Sequence, residues 1–184
     1  MKKVILSPIS SGKSYFMEKN NFHYNGYDLY CGEWLSTKNN IIDGINMGIE
    51  SVFMPPTHKL YKEWCDLYKL GLDEFKNIQS NNSVLIFNGL EVLDIIINEY
   101  PEFEISLVLP EYSIHESFWL KKLDSFPSLK KPAIEIIKDV EIYTLRPISK
   151  IFNWAYIKEE RSEYKKISEL KNIKLYTTFN EAIQ

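Results

Sequence analysis

The chain has 184 residues, 45% of them hydrophobic and 26% charged, with a formal net charge of -3 at pH 7. A chain of this size buries roughly 70% of its unfolded surface, enough for one domain without disulfide or metal staples. The composition excludes collagen-like, coiled-coil and disordered classes, no apolar run is long enough to cross a bilayer, and the negative charge disfavours duplex nucleic acid as a constitutive partner.

Nothing at the start of the chain resembles an export signal, which predicts a cytoplasmic protein. Only Arg146 and Arg161 are arginine, and the other basic residues are lysine. With abundant Asn, Ile and Lys, this fits an AT-rich genome, so the expected compartment is a bacterial cytosol or a virus-infected cell. Cys31 and Cys65 make no disulfide framework and have no metal-ligand spacing. His23, His58 and His115 stand far apart, which argues against zinc; of the three, His58, beside Pro55-Pro56, is the one most suggestive of function.

Lys2–Leu6 is predicted as a buried strand, followed by a small-residue loop and a helix over 13–20. A second strand is expected at Tyr27–Tyr30. The stretch 33–50 is mixed, with helical pieces interrupted by Gly44 and Gly48. Thr57 is a plausible N-cap for a helix running to about Asn77, striped by Leu60, Trp64, Leu67, Tyr68, Leu72 and Phe75. Ser83–Phe87 is the clearest strand. A helix over Leu90–Tyr100, a strand over Glu104–Leu109 and a helix over Ser113–Leu123 follow. Val140–Leu145 is a short strand candidate, Ser149–Leu170 a long helix with a charged outer face, Ile173–Tyr176 a last strand and Asn180–Gln184 a terminal helical turn. Alternating strands and helices predict an α/β domain with a mainly parallel sheet.

One motif carries chemistry. Ser7-Pro-Ile-Ser-Ser-Gly12-Lys13-Ser14 fits GxxxxGK[ST] at every defined position but the first, and it begins where a strand ends and finishes where a helix starts. In such a loop successive backbone N–H groups wrap a polyphosphate. Gly12 lets the backbone come close, Lys13 supplies a point charge to the β/γ-phosphates, and the Ser14 hydroxyl faces Mg²⁺. Serine at position 7 would be strained only if its φ were positive. The alternative is a strand-to-helix turn that uses Gly12 for geometry alone.

On these residues the chain resembles the P-loop nucleoside and nucleotide kinases. The resemblance implies a three-layer P-loop NTPase fold with a central, mainly parallel five-stranded sheet flanked by helices, spanning 1–184 as a single domain. It also implies ATP and Mg²⁺ as cofactors, an acceptor-region insertion at about 33–80 and a lid at about 121–132, near Lys121, Lys122, Lys130 and Lys131. Ser10, Ser11, Gly12, Lys13 and Ser14 would hold the phosphates. Asp28, near the end of the second strand, would serve as base or metal support beside Ser14, with Glu33 its nearest rival. Arg146 is a candidate phosphate or adenine contact, and is counted among the catalytic residues, whereas Arg161, inside a run of alternating charge, suggests a solvated helix face. Thr178, within Thr177–Asn180, would lie near the adenine.

Two departures matter. The third strand runs into Asn88, where such proteins usually have a Mg²⁺-supporting aspartate; either Asp28 carries the metal shell alone, or metal binding is weak, or nucleotide is bound without turnover. The acceptor region offers lysines but no arginine, which favours a nucleoside or a lysine-bound monophosphate as acceptor. The expected function is therefore ATP-dependent phosphoryl transfer to a nucleoside, nucleotide or modified-nucleobase hydroxyl. The alternative is a nucleotide-binding regulatory or assembly protein with little turnover. The expected partners are a nucleotide and a small acceptor, with no membrane, and a homodimer is left open.

Overall fold

A computed structural model describes residues 2–19, 26–27, 41–42, 45–46, 61–77, 84–87, 89–125 and 154–184. The strands are β1 (Lys2–Leu6), β2 (Gly26–Tyr27), β3 (Ile41–Ile42), β4 (Ile45–Asn46), β5 (Val84–Phe87), β6 (Phe103–Val108) and β7 (Leu175–Tyr176). The helices are α1 (Lys13–Lys19), α2 (Tyr61–Asn77), α3 (Leu93–Glu99), α4 (Tyr112–Ser125), α5 (Trp154–Lys171) and α6 (Phe179–Ile183). Five strands form a sheet in the order β2-β5-β1-β6-β7, and every adjacent pair is parallel. This is a small α/β domain with a central parallel sheet flanked by helices.

Parallel strands covered on both faces carry near-continuous apolar runs, because neither face meets water. Val4–Leu6 of β1 and all of β5 have this character, whereas β6 interleaves Glu104 and the buried Ser106 with its apolar residues. Alternate β1 residues point to opposite faces: Val4 and Leu6 enter one cluster, Ile5 the other. On the first face Leu85 and Leu107 pack beneath Tyr68, Leu72 and Phe75 of α2, Leu93 and Ile96 of α3, and Tyr164 of α5. On the second face Val84, Ile86 and Val108 meet Phe16 of α1 and Phe179 and Ala182 of α6. Phe16 and Phe179 stack at a centroid distance of 5.0 Å, joining the two helices on that face.

Polar contacts at the rim follow the same register. Lys2, at the start of β1, donates to the carbonyls of Phe75 and Lys76, which the last turn of α2 leaves without intrahelical partners. Lys3 points to the other face, where it donates to the Ile183 carbonyl at 3.1 Å and approaches Glu104 at 3.9 Å. Tyr100 donates to the Asp73 carboxylate at 3.0 Å, and burial together with that carboxylate pushes its phenol pKa up.

Most sequence-predicted elements recur within a few residues of their expected ends. The helix expected over Leu90–Tyr100 begins as a 3-10 turn, Leu90–Val92, before α3. Within the stretch expected as broken helix, β3 and β4 instead pair antiparallel, Ile41 opposite Asn46 and Ile42 opposite Ile45. Asp-Gly lies between them in the sequence, a dipeptide strongly favoured in two-residue hairpins. The strand candidate at Val140–Leu145 and the Thr57 cap lie outside the described residues.

Leu72 and Leu70 lie on the same helix with opposite fates, 0% and 45% exposed. Leu72→Ala is expected to cost about 3 kcal/mol through lost burial and a residual cavity, whereas Leu70→Ala should stay within about 0.5 kcal/mol. Urea denaturation midpoints of the two variants check the assignment of the core.

Candidate functional site

At the carboxyl end of β1 the chain departs toward β2, on one side of the sheet, while from β6 it departs toward β7 on the other. In open α/β sheets the crevice outside such a divergence is where ligands bind. Two segments line it here: Ser7–Gly12 after β1, and Leu109–Glu111 between β6 and α4.

The first of these is a strained loop with a polar interior. Ser10 and Gly12 have φ of 58° and 88°, so the backbone twice enters the left-handed region. Gly12 has no Cβ to clash, but Ser10 is held there against its preference. Ser7 has no positive φ, so serine at the first motif position costs no backbone strain. The hydroxyls of Ser7, Ser10 and Ser11 are buried and have no hydrogen-bond partner. Buried polar groups are normally satisfied, and three orphans in one loop are unusual. Lys13, at the start of α1, is 6% exposed, and its ammonium turns back to donate to the carbonyls of Pro8 at 2.9 Å and Ser7 at 3.3 Å.

Two helices close around this loop. The Ile9 N–H donates to the Glu160 carboxylate of α5 at 3.1 Å, and His115 of α4 lies 2.6 Å from the Ile9 carbonyl through Nε2. The Arg161 Nη1 group reaches His115 Nδ1 at 2.8 Å and the Pro110 carbonyl at 2.7 Å. A guanidinium only donates, so Nδ1 is the acceptor and Nε2 carries the imidazole proton; the network assigns a neutral tautomer. Burial pushes the His115 pKa down to about 4, reinforced by the positive fields of Arg161 and Lys13 and opposed by the bond to Ile9. On the same side of α4 as His115, one turn on, the Phe118 ring would lie 2.8 Å from a Cβ built on Gly12. It also meets Tyr15 of α1 at a centroid distance of 5.8 Å.

Ser10, Ser11, Gly12 and Lys13 are thus brought together in one loop, with Ser14 next in α1. The Ser14 side chain, Asp28, Glu33, His58, Asn88 and Arg146 lie outside the described residues. Thr178 is exposed at the carboxyl end of β7, where its hydroxyl caps α6 by accepting the Glu181 N–H at 3.2 Å. Bonds from the Thr177 hydroxyl and from the N–H groups of Thr177 and Thr178 hold the Glu181 carboxyl below the usual range.

Arg161 corrects the sequence expectation. It is 9% exposed, and Glu160 beside it 5%, rather than lying on a solvated face. The signal was present as a helical stripe, since both fall between the buried Ile157 and Tyr164 at three- and four-residue spacings. Their charge disguised it. Among the described residues, His115 is the histidine at the loop.

A side chain at position 12 meets both an unfavourable φ and the Phe118 ring. Gly12→Ala should cost about 2 kcal/mol or more, and in a Phe118→Ala background the penalty should shrink as the steric part disappears. Thermal or urea unfolding of the four-member cycle measures that difference. His115 generates a second expectation. Between its ordinary pKa of 6.5 and its folded value of about 4 the unfolded chain holds more protons, so stability falls as pH drops through that window. The loss is on the order of 3 kcal/mol, and in His115→Gln the slope of stability against pH over the same interval should flatten. Comparison of the chain with protein-family models, curated proteins and solved structures gives no match, so its functional reading rests on the loop and its surroundings.

Proposed function

We propose that the Ser7–Ser14 loop binds the polyphosphate of ATP, and that the protein transfers the γ-phosphoryl group to a hydroxyl of a nucleoside, nucleotide or modified nucleobase. The observation that carries this reading is a loop at the divergence point of a parallel sheet that combines left-handed Ser10 and Gly12, a buried Lys13 ammonium and three partnerless buried hydroxyls. The three hydroxyls are donors that an anion could accept from. The five parallel strands, with helices packed on both faces, support the finer assignment to the three-layer P-loop fold.

In this reading the Lys13 ammonium exchanges the Ser7 and Pro8 carbonyls for β/γ-phosphate oxygens, and the N–H groups of Ser10 to Ser14 surround the β-phosphate. The acceptor oxygen attacks the γ-phosphorus, ADP leaves, and the acceptor's proton passes to Asp28. Arg146 stabilises charge on the transferred group. Mg²⁺ would neutralise phosphate charge, supported by Ser14 and Asp28. Among the described residues no cluster of three or more His, Cys, Asp or Glu could hold a metal. That is compatible with Mg²⁺, which typically takes most of its ligands from substrate phosphates and water.

Lys13→Ala is expected to weaken ATP binding at least about ten-fold, since the loop loses its only side-chain cation. Isothermal titration with ATP and Mg²⁺ measures it, and unchanged affinity would overturn the reading. Labelled ATP offered with a panel of nucleosides and monophosphates then separates the two functional classes. A labelled acceptor identifies a kinase; tight ATP binding without any product identifies a nucleotide-binding regulator.

A further inference from the structure

We infer that Glu160, His115 and Arg161 are positioning residues of the phosphate loop: together they hold the Ile9 backbone at both its N–H and its carbonyl, so that the seating of α4 and α5 governs the loop's capacity for an anion. The inference rests on the phosphate-binding reading above, but its central contact can be tested without any ligand.

The network is closed. From α5, Glu160 accepts the Ile9 N–H. From α4, His115 donates to the Ile9 carbonyl. Arg161, next to Glu160 on α5, donates to His115 and to the carbonyl of Pro110 at the end of β6. The path therefore returns to the helix where it began. All three side chains are buried, as is the Ile9 side chain between them.

Two consequences follow for the loop. Ser10, the next residue, has a φ of 58°, a conformation that a non-glycine residue keeps only where its surroundings over-determine it. Fixing both polar groups of Ile9 supplies that constraint on its N-terminal side. The Glu160 bond also occupies the Ile9 N–H, which removes that amide from the anion cradle and leaves the cradle to Ser10 and the residues after it. A carboxylate so close to an anion site would repel the ligand if it faced inward; here it is engaged on the backbone.

Tripolyphosphate affinity and backbone amide exchange test the assignment in the full chain. In Glu160→Ala the Ile9 amide should exchange about ten-fold faster or more, and tripolyphosphate affinity should fall by about the same factor. Glu160→Gln keeps a carbonyl acceptor and should restore both to within about three-fold. Arg161→Lys, a milder change that keeps the charge but loses the planar guanidinium whose Nη1 bridges His115 and Pro110, should weaken affinity while the chain stays folded. Equal effects of Ala and Gln, or unaltered Ile9 exchange in Glu160→Ala, would overturn the clamp. If tripolyphosphate fails to bind the unaltered protein, the phosphate-binding reading falls, and Ile9 exchange still decides whether the clamp exists.

Discussion

The constraint on which the rest depends is the complete enclosure of β1. Its neighbours bond both edges, and its last three residues, Val4, Ile5 and Leu6, are each 0% exposed. A strand so enclosed cannot slip by one residue without turning its side chains into the wrong face. The point where the chain leaves the sheet is therefore fixed at Ser7. Because the connection after β1 leads toward β2 while that after its neighbour β6 leads the opposite way toward β7, that exit opens into a crevice rather than beneath a crossover helix. The loop's position is a consequence of sheet order, before any of its own side chains matter.

Its conformation depends on the side chains around it. A loop that enters the left-handed region at Ser10 and Gly12 needs support from outside. Hydrophobic contact alone is poorly suited to this, since it is non-directional. The support instead comes from directed bonds to Ile9, reached from helices more than a hundred residues away in the sequence. Phe118 adds a steric component at Gly12, where the missing Cβ makes room for the ring. Glycine at position 12 thus serves two geometric ends, permitting φ of 88° and admitting an aromatic side chain from α4.

This division explains what could be read from the sequence. Val84–Phe87 and Lys2–Leu6 are legible because a strand buried on both faces leaves a continuous apolar run. The loop is legible because glycine and lysine sit at a fixed spacing after such a run. Glu160 and Arg161 are not, because charged residues in a helix, here within a run of alternating sign, ordinarily face water. What reverses that rule is a set of backbone and imidazole partners supplied by Ile9, Pro110 and His115, and no local pattern encodes their proximity. His115 is hidden for the same reason: its significance comes from the two atoms its nitrogens face.

The choice of histidine between the loop and Arg161 has its own logic. The position must donate to a carbonyl and accept from a guanidinium at once, which a neutral imidazole does with its two nitrogens. A charged imidazole would place three cations together with Lys13 and Arg161, and the depressed pKa of about 4 keeps that state unpopulated near neutrality. Glu160, in the same group, has a carboxylate oxygen engaged by the Ile9 amide. In the proposed reading, an incoming polyanion would give the buried, partnerless Ser7, Ser10 and Ser11 hydroxyls an acceptor. Backbone strain and unsatisfied hydroxyls thus converge on one loop, and the proposed anionic ligand is the chemistry that would satisfy the hydroxyls.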